Sequence, residues 1–171
     1  MPNGYTGQGG GPRDSRGGPG SRAGGSERGD RGFRSELPSI DTSRIRLKPT
    51  EGRALPADLF DDVARATAKA VAGDSRNQAN KPSQIRQFYD ELVMWEEKAR
   101  SAPERFDELL PFIRMLNAKA AYAKGRRHVD DNFVDFISCC VTQVDDYTSL
   151  RHFKLFFEAF LGFYKQERPT G

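Results

Sequence analysis

The sequence predicts an all-α protein: a five-helix bundle behind a disordered Gly/Arg-rich tail. Three observations predict it. From Asp58 onward, apolar residues recur three and four apart, the spacing of one helical face. No run alternates apolar and polar residues with period two, so no strand is expected. Glycine is concentrated ahead of this pattern, with twelve of the 17 glycines before Ser35.

Residues 1–36 carry almost no bulky apolar surface beyond Tyr5 and Phe33. Ordering a chain costs roughly 1–2 kcal/mol per residue, and nothing here offsets that cost. The segment is therefore predicted to be disordered. Arg13, Arg16, Arg22, Arg28, Arg31 and Arg34 punctuate it. Two readings stand: a solvated flexible extension, or an Arg-Gly tract with weak affinity for single-stranded nucleic acid. Residues 37–57 still hold Pro38, Pro49, Gly52 and Pro56 and read as an irregular arm. Residues 58–168 form the bundle domain.

The first helix is expected from Asp58 to Ala72, on Leu59, Val63, Ala66 and Ala70, with Gly73 as its stop. A polar connection, residues 73–81, follows. Pro82 opens the second helix, because the proline's missing N–H would be unpaired in a first turn anyway. Ile85, Phe88, Tyr89, Leu92, Trp95 and Ala99 line one side, and Ser101 ends the helix or caps the next. The third region runs from Pro103 to about Arg126. Leu109, Phe112, Ile113, Leu116, Ala120 and Ala123 share its face, and Gly125 is its expected stop. Pro111 disfavours helix at Leu110, so a break or kink is predicted there. The fourth helix spans about Asp130 to Asp145, with a stripe of Phe133, Phe136, Ile137, Cys140, Val141 and Val144. The fifth follows Thr148-Ser149, read as its cap pair, and runs to about Glu167. Its apolar residues cover about half the wheel, wider than an ordinary surface stripe. Phe156 and Phe163 lie seven apart at one edge of that face. They are candidate subunit-interface residues, unless the bundle buries them itself.

The composition excludes several classes. No apolar run approaches the roughly 20 residues of a membrane span, and no apolar N-terminal stretch resembles a secretory signal. The two cysteines are the adjacent Cys139 and Cys140, which provide neither a disulfide framework nor a zinc site. They suit a reducing, intracellular setting. There is no phosphate loop, nucleophile elbow or His-Glu-x-x-His. His128 and His152 have no helical spacing to the cysteines. No catalytic residue, metal site or cofactor is expected, and the chain reads as a binding protein.

Net charge is only +3, so a basic patch must be local. One stretch stands out. From Leu109 to Val129 there is no acidic residue, while Arg114, Lys119, Lys124, Arg126, Arg127 and His128 all fall there. Lys119, Tyr122 and Arg126 are spaced i, i+3, i+7 and are predicted to be neighbours on one helical edge. Two cations flanking an aromatic suit phosphates and a stacked base. The alternative is a solvated helix end whose cations match its dipole.

Three segments together resemble a known family: Ser83-Gln84-Ile85-Arg86-Gln87-Phe88-Tyr89; Leu116 through Arg126; and Phe153 through Tyr164. In this order and spacing, over roughly Leu55 to Arg168, the chain resembles the small helical subunit, the second Csm-type subunit, of type III-A CRISPR effector complexes of antiviral defence. The Gly/Arg tail lies outside the likeness, and the small residues of Ala118-Lys119-Ala120-Ala121-Tyr122 differ from the commoner wording. The resemblance implies a cytoplasmic, non-catalytic bundle in a ribonucleoprotein. Its copies would stack between the large synthase/nuclease subunit and the repeated backbone subunits, along the guide RNA–target RNA duplex. By match it implies RNA-facing roles for Lys119, Tyr122, Lys124, Arg126 and Arg127. Gln84, Arg86 and Lys154 match family motifs and would contact RNA or a neighbouring subunit. The alternative function is a helical protein–protein scaffold with no RNA contact. A small DNA-binding regulator is disfavoured, since no helix-turn-helix with a base-reading helix is recognisable.

Overall fold

The computed structural model describes residues 39–50, 54–73 and 78–169. The tail expected at residues 1–36 lies outside the described residues. Five α-helices carry the fold: α1 (Ala64–Ala72), α2 (Pro82–Ser101), α3 (Phe106–Gly125), α4 (Asp131–Thr142) and α5 (Tyr147–Glu167). No strand occurs among the described residues. α5 packs against α1 and α2, and α3 packs against α4 and α2.

Helix α1 starts later than its pattern suggested. Leu59–Val63 form a single π turn in which the Val63 N–H donates to the Asp58 carbonyl (3.1 Å). That wider turn still buries Leu59 and Val63. Gly73 ends α1 at φ +54°, a conformation that suits a residue without Cβ.

Helix α3 corrects three expectations. The expected break is absent, since the helix runs unbroken through Pro111. Pro111 and Asp107 are both exposed, so the Asp107 carbonyl deprived of its i+4 donor lies on the solvent side of the helix, where the loss costs least. Phe112 is not in the core. It is 51% exposed and stacks on the half-buried Trp95 of α2, with centroids 5.8 Å apart. Gly125 is not the stop, for it still belongs to the helix. Arg127, at φ +59°, takes the left-handed position after Arg126. The Arg127 N–H donates to the Lys124 carbonyl (2.8 Å) and the His128 N–H to the Ala123 carbonyl (2.9 Å). This pair of bonds is the Schellman closure, with arginine where glycine is usual.

Helix α4 is capped by Asp130, whose carboxylate accepts from the Phe133 N–H (3.1 Å). It ends at Thr142, short of the expected Asp145. Helix α5 begins at Tyr147, and its cap is Asp146, not Thr148-Ser149. The Asp146 carboxylate accepts from the Ser149 N–H (2.6 Å), and the Ser149 hydroxyl accepts from the Asp146 N–H (3.1 Å). That reciprocal box satisfies two helix-end donors.

The core is aromatic. Phe136 of α4 lies 4.8 Å from Phe160, 5.0 Å from Phe157 and 5.9 Å from Phe156, ring centroid to centroid. Aromatic pairs add about 0.5–1.5 kcal/mol beyond their buried area. The wide apolar face of α5 is thus used inside the bundle.

Two segments read as loops turn out to be built in. In the arm, Ile45 and Leu47 are buried, two apart on an extended backbone. Gln143 pins them: its amide oxygen accepts from the Leu47 N–H (2.9 Å) and its nitrogen donates to the Ile45 carbonyl (2.8 Å). His152 Nδ1 contacts the Leu47 carbonyl (2.8 Å), and Lys48 pairs with Asp145. In the polar connection, Asn80 is fully buried at φ +57°. Its Nδ2 donates to the Val71 carbonyl (2.8 Å), its Oδ1 accepts from the Asp130 N–H (3.0 Å), and its own N–H donates to the His128 carbonyl (2.8 Å). The Tyr164 hydroxyl donates to the Asn80 carbonyl. Burial pushes that phenol's pKa up to about 12.

Candidate nucleic-acid interface

Helices α2 and α3 leave a cleft of about 350 Å³ between them. Gln84, Gln87 and Glu91 enter from α2, spaced three and four apart on one face. Lys119, Tyr122 and Arg126 enter from α3, and His128 closes the end. The predicted i, i+3, i+7 neighbours therefore share one exposed edge. Tyr122 is 67% exposed. The Arg126 guanidinium lies 5.7 Å from the Tyr122 ring centroid and donates to its hydroxyl (3.3 Å). A planar cation leaning on an outward-facing ring offers both charge and a π-face.

Lys119 is not unpaired. Its Nζ donates to both carboxylate oxygens of Glu91, at 2.6 and 2.7 Å. Arg127 is exposed and has no side-chain partner among the described residues.

The remaining expected site residues lie elsewhere. Lys124 points away from the cleft and pairs with Asp131 of α4, whose carboxylate raises the lysine's pKa. Arg86 lies off the cleft lining, beside Tyr89 (5.2 Å to the ring centroid), and pairs with Asp90 (2.8 Å), which raises its pKa. Lys154 of α5 pairs with Glu158 (3.2 Å), which raises its pKa, and its charge acts on the same Tyr89. Gln84 is the one residue of that second group that joins the cleft.

Phe156 is corrected as an interface residue. It has no exposed surface, because its ring packs on Phe136. Phe163 keeps partial exposure, with the Arg65 guanidinium 4.3 Å from its centroid. Among the described residues, the large apolar side chains that face outward are Phe60, Met94, Phe112, Met115 and Tyr122, none of them on α5. The sequence placed Gln87 in a family segment and His128 in the basic stretch without giving either a site role, and it passed over Glu91. The Gln84–Gln87–Glu91 spacing on α2 was the available signal.

The thiols are not activated. Burial pushes the Cys140 pKa well up, and burial also raises that of the half-buried Cys139. Among the described residues, no three His, Cys, Asp or Glu side chains gather to hold a metal ion, and no helix is long and apolar enough to cross a membrane.

The described residues form an all-α bundle with a cationic–aromatic cleft between α2 and α3. The family model Csm2 Type III-A matches residues 56–170, about two thirds of the chain, and the protein belongs to that family. It is a non-catalytic small subunit of a type III-A CRISPR effector complex, working alongside guide and target RNA and the other type III-A subunits. Searches of curated proteins and of solved structures gave no match.

Proposed function

We propose that the α2/α3 cleft grips the sugar–phosphate backbone of the guide RNA–target RNA duplex without reading its sequence. The observation that carries this is the convergence of Lys119, Tyr122 and Arg126 on one exposed edge, with Gln84 and His128 alongside. Arg127 lies just beyond that edge, Lys124 faces Asp131 of α4, and Arg86 and Lys154, each paired with a carboxylate, lie beside Tyr89 as a second contact to RNA or a neighbouring subunit. Base pairing supplies sequence, so the protein need only hold backbone, as in other guide-directed effectors. Copies stacked along one duplex bind by avidity and bridge the large synthase/nuclease subunit to the repeated backbone subunits, in the cytoplasm. The partly exposed Phe163 is the proposed subunit contact on α5.

The test is RNA binding by the full chain across salt. If each copy neutralises three or four phosphates, log affinity falls with log salt at a slope of about −2 to −4. A flat response refutes the reading. The double variant K119A/R126A should weaken binding and reduce the slope by roughly 1 per cation removed, with helicity intact.

One observation favours a second reading, a scaffold without RNA contact. Phe112 and Met115 are each 51% exposed on α3. Under that reading K119A/R126A assembles and supports RNA-guided activity normally.

A further inference from the structure

Glu91 is out of place in a cleft meant for phosphate. A carboxylate repels an approaching phosphate and neutralises the cation beside it. Yet this one is held firmly. Its side chain is 21% exposed, Lys119 Nζ donates to both of its oxygens, and Trp95 Nε1 donates to Oε1 at 3.3 Å. Some side-chain ion pairs, such as Arg86–Asp90 and Lys154–Glu158, lie within one helix four residues apart. The Glu91–Lys119 pair spans 28 residues and ties α2 to α3 across the cleft itself.

We propose that Glu91 is a built-in competitor for phosphate: the Glu91–Lys119 pair is a clasp that the RNA backbone must open, and Glu91 sets the affinity of a single copy low. The proposal rests on the RNA-gripping reading of the cleft. With the clasp closed, the cleft's two cations, Lys119 and Arg126, face one carboxylate, and Arg126 on Tyr122 is the cation left for a first phosphate. A phosphate reaching Lys119 replaces one anionic partner with another, so the net gain per copy is small. Stacked copies on one duplex then supply occupancy that one copy lacks. Trp95 reports the event. It is the sole tryptophan of the sequence, and its indole N–H is bonded to the carboxylate that must move.

Glu91→Gln tests this directly. Glutamine keeps the size and an oxygen acceptor for Trp95, and removes the charge. An exposed ion pair biases an equilibrium by roughly 1.4- to fivefold, so E91Q should bind about 1.4- to fivefold tighter. Its salt slope should steepen by roughly 0.7–0.9, one more phosphate neutralised. The measurement is binding of full-length wild type, E91Q, E97Q and K119A to a guide–target RNA duplex across salt, with Trp95 emission followed on unlabelled duplex. Glu97 is exposed on α2 and does not line the cleft. E97Q should bind like wild type, K119A more weakly, and wild-type Trp95 emission should shift on binding. If E91Q binds equally or more weakly while K119A weakens, the competitor role is overturned and the cleft reading survives. If E97Q tightens binding as much as E91Q, bulk charge explains the gain and the proposal falls. If K119A binds like wild type, the cleft reading itself has failed. Wild-type emission unchanged at saturating RNA overturns the clasp without relying on any variant.

Discussion

Replacing Asn80 with alanine should be among the most damaging single changes away from the aromatic core. The side chain is fully buried and makes two hydrogen bonds, to the Val71 carbonyl (2.8 Å) and from the Asp130 N–H (3.0 Å). Removing it strands both backbone groups, at about 1–3 kcal/mol each. Alanine must also hold φ +57°, which asparagine tolerates and alanine does not, for about 1 kcal/mol more. The expected loss is about 3–7 kcal/mol. Domains of ordinary stability have about 5–15 kcal/mol, so N80A would fold with little margin. Urea unfolding, followed by Trp95 fluorescence and far-UV circular dichroism, measures it. With a denaturant slope of about 1–3 kcal/mol/M, the midpoint should drop by roughly 2 M. N80G loses the same bonds without the left-handed strain and should recover about 1 kcal/mol. A loss below about 1 kcal/mol for N80A, or N80A more stable than N80G, would refute this account.

Gln143→Ala should cost about 1.5–3 kcal/mol, because Leu47 N–H and Ile45 carbonyl lose their partner; amide exchange should quicken first at residues 45–47, and uniform loss would contradict a local anchor. Arg127→Gly should stabilise by about 1 kcal/mol, since φ +59° costs glycine nothing, while reducing the salt slope of RNA binding by roughly 1; thermal melts and binding isotherms check the two halves separately. Asp146→Asn should flatten the acid limb of the stability curve. Burial raises the Asp146 pKa, but donation from the Ser149 hydroxyl and N–H, with Lys48 and His152 nearby, outweighs it and holds the carboxyl below its ordinary value. A pKa depressed on folding gives stability that is complete above the unfolded value, about 3.9, and lost as pH falls through the folded one. Urea midpoints from about pH 5 to pH 2 should therefore fall less for D146N than for wild type.

The helices were legible because their faces are periodic: α2 begins at the proline that opens it, and Phe133, Phe136, Ile137 and Cys140 of α4 are all buried as spaced. Their ends were less so. Pro111 was read as a break or kink because local preference weighs a missing N–H heavily; here Pro111 and Asp107 are both exposed, and packing of Ile113 and Leu116 holds the helix continuous. Gly125 drew attention away from Arg127, since no rule on one sequence predicts an arginine at positive φ. Of the site, the α3 half was visible as a cation–aromatic spacing. Glu91 was not, because pairing across 28 residues depends on how two helices dock. Ile45 and Leu47 were hidden by a pattern too short for strand or helix, and Asn80 by sitting among polar residues that resemble any linker.

The position of Asn80 also bears on why the cleft's end is where it is. Its N–H holds the His128 carbonyl and its Oδ1 holds the Asp130 N–H, so both flanks of the α3–α4 turn are tied to a buried residue. Tyr164 fixes the Asn80 carbonyl from α5, and the ring of Tyr164 stacks on Phe160, 5.3 Å away. A continuous chain of contacts thus runs from the aromatic core to the residue beside Arg127. Arg126 is the C-cap one position earlier, and its backbone N–H donates to the Tyr122 carbonyl (3.1 Å). Long basic side chains lose much freedom when they grip a ligand, and a fixed base lowers what must be lost. The arm's anchors, Gln143 just past α4 and His152 of α5, make no hydrogen bond to the α3–α4 turn or the cleft lining among the described residues. Damage at Asn80 should accordingly weaken RNA binding beyond its effect on folding, whereas equal destabilisation at Gln143 should leave the folded fraction binding normally.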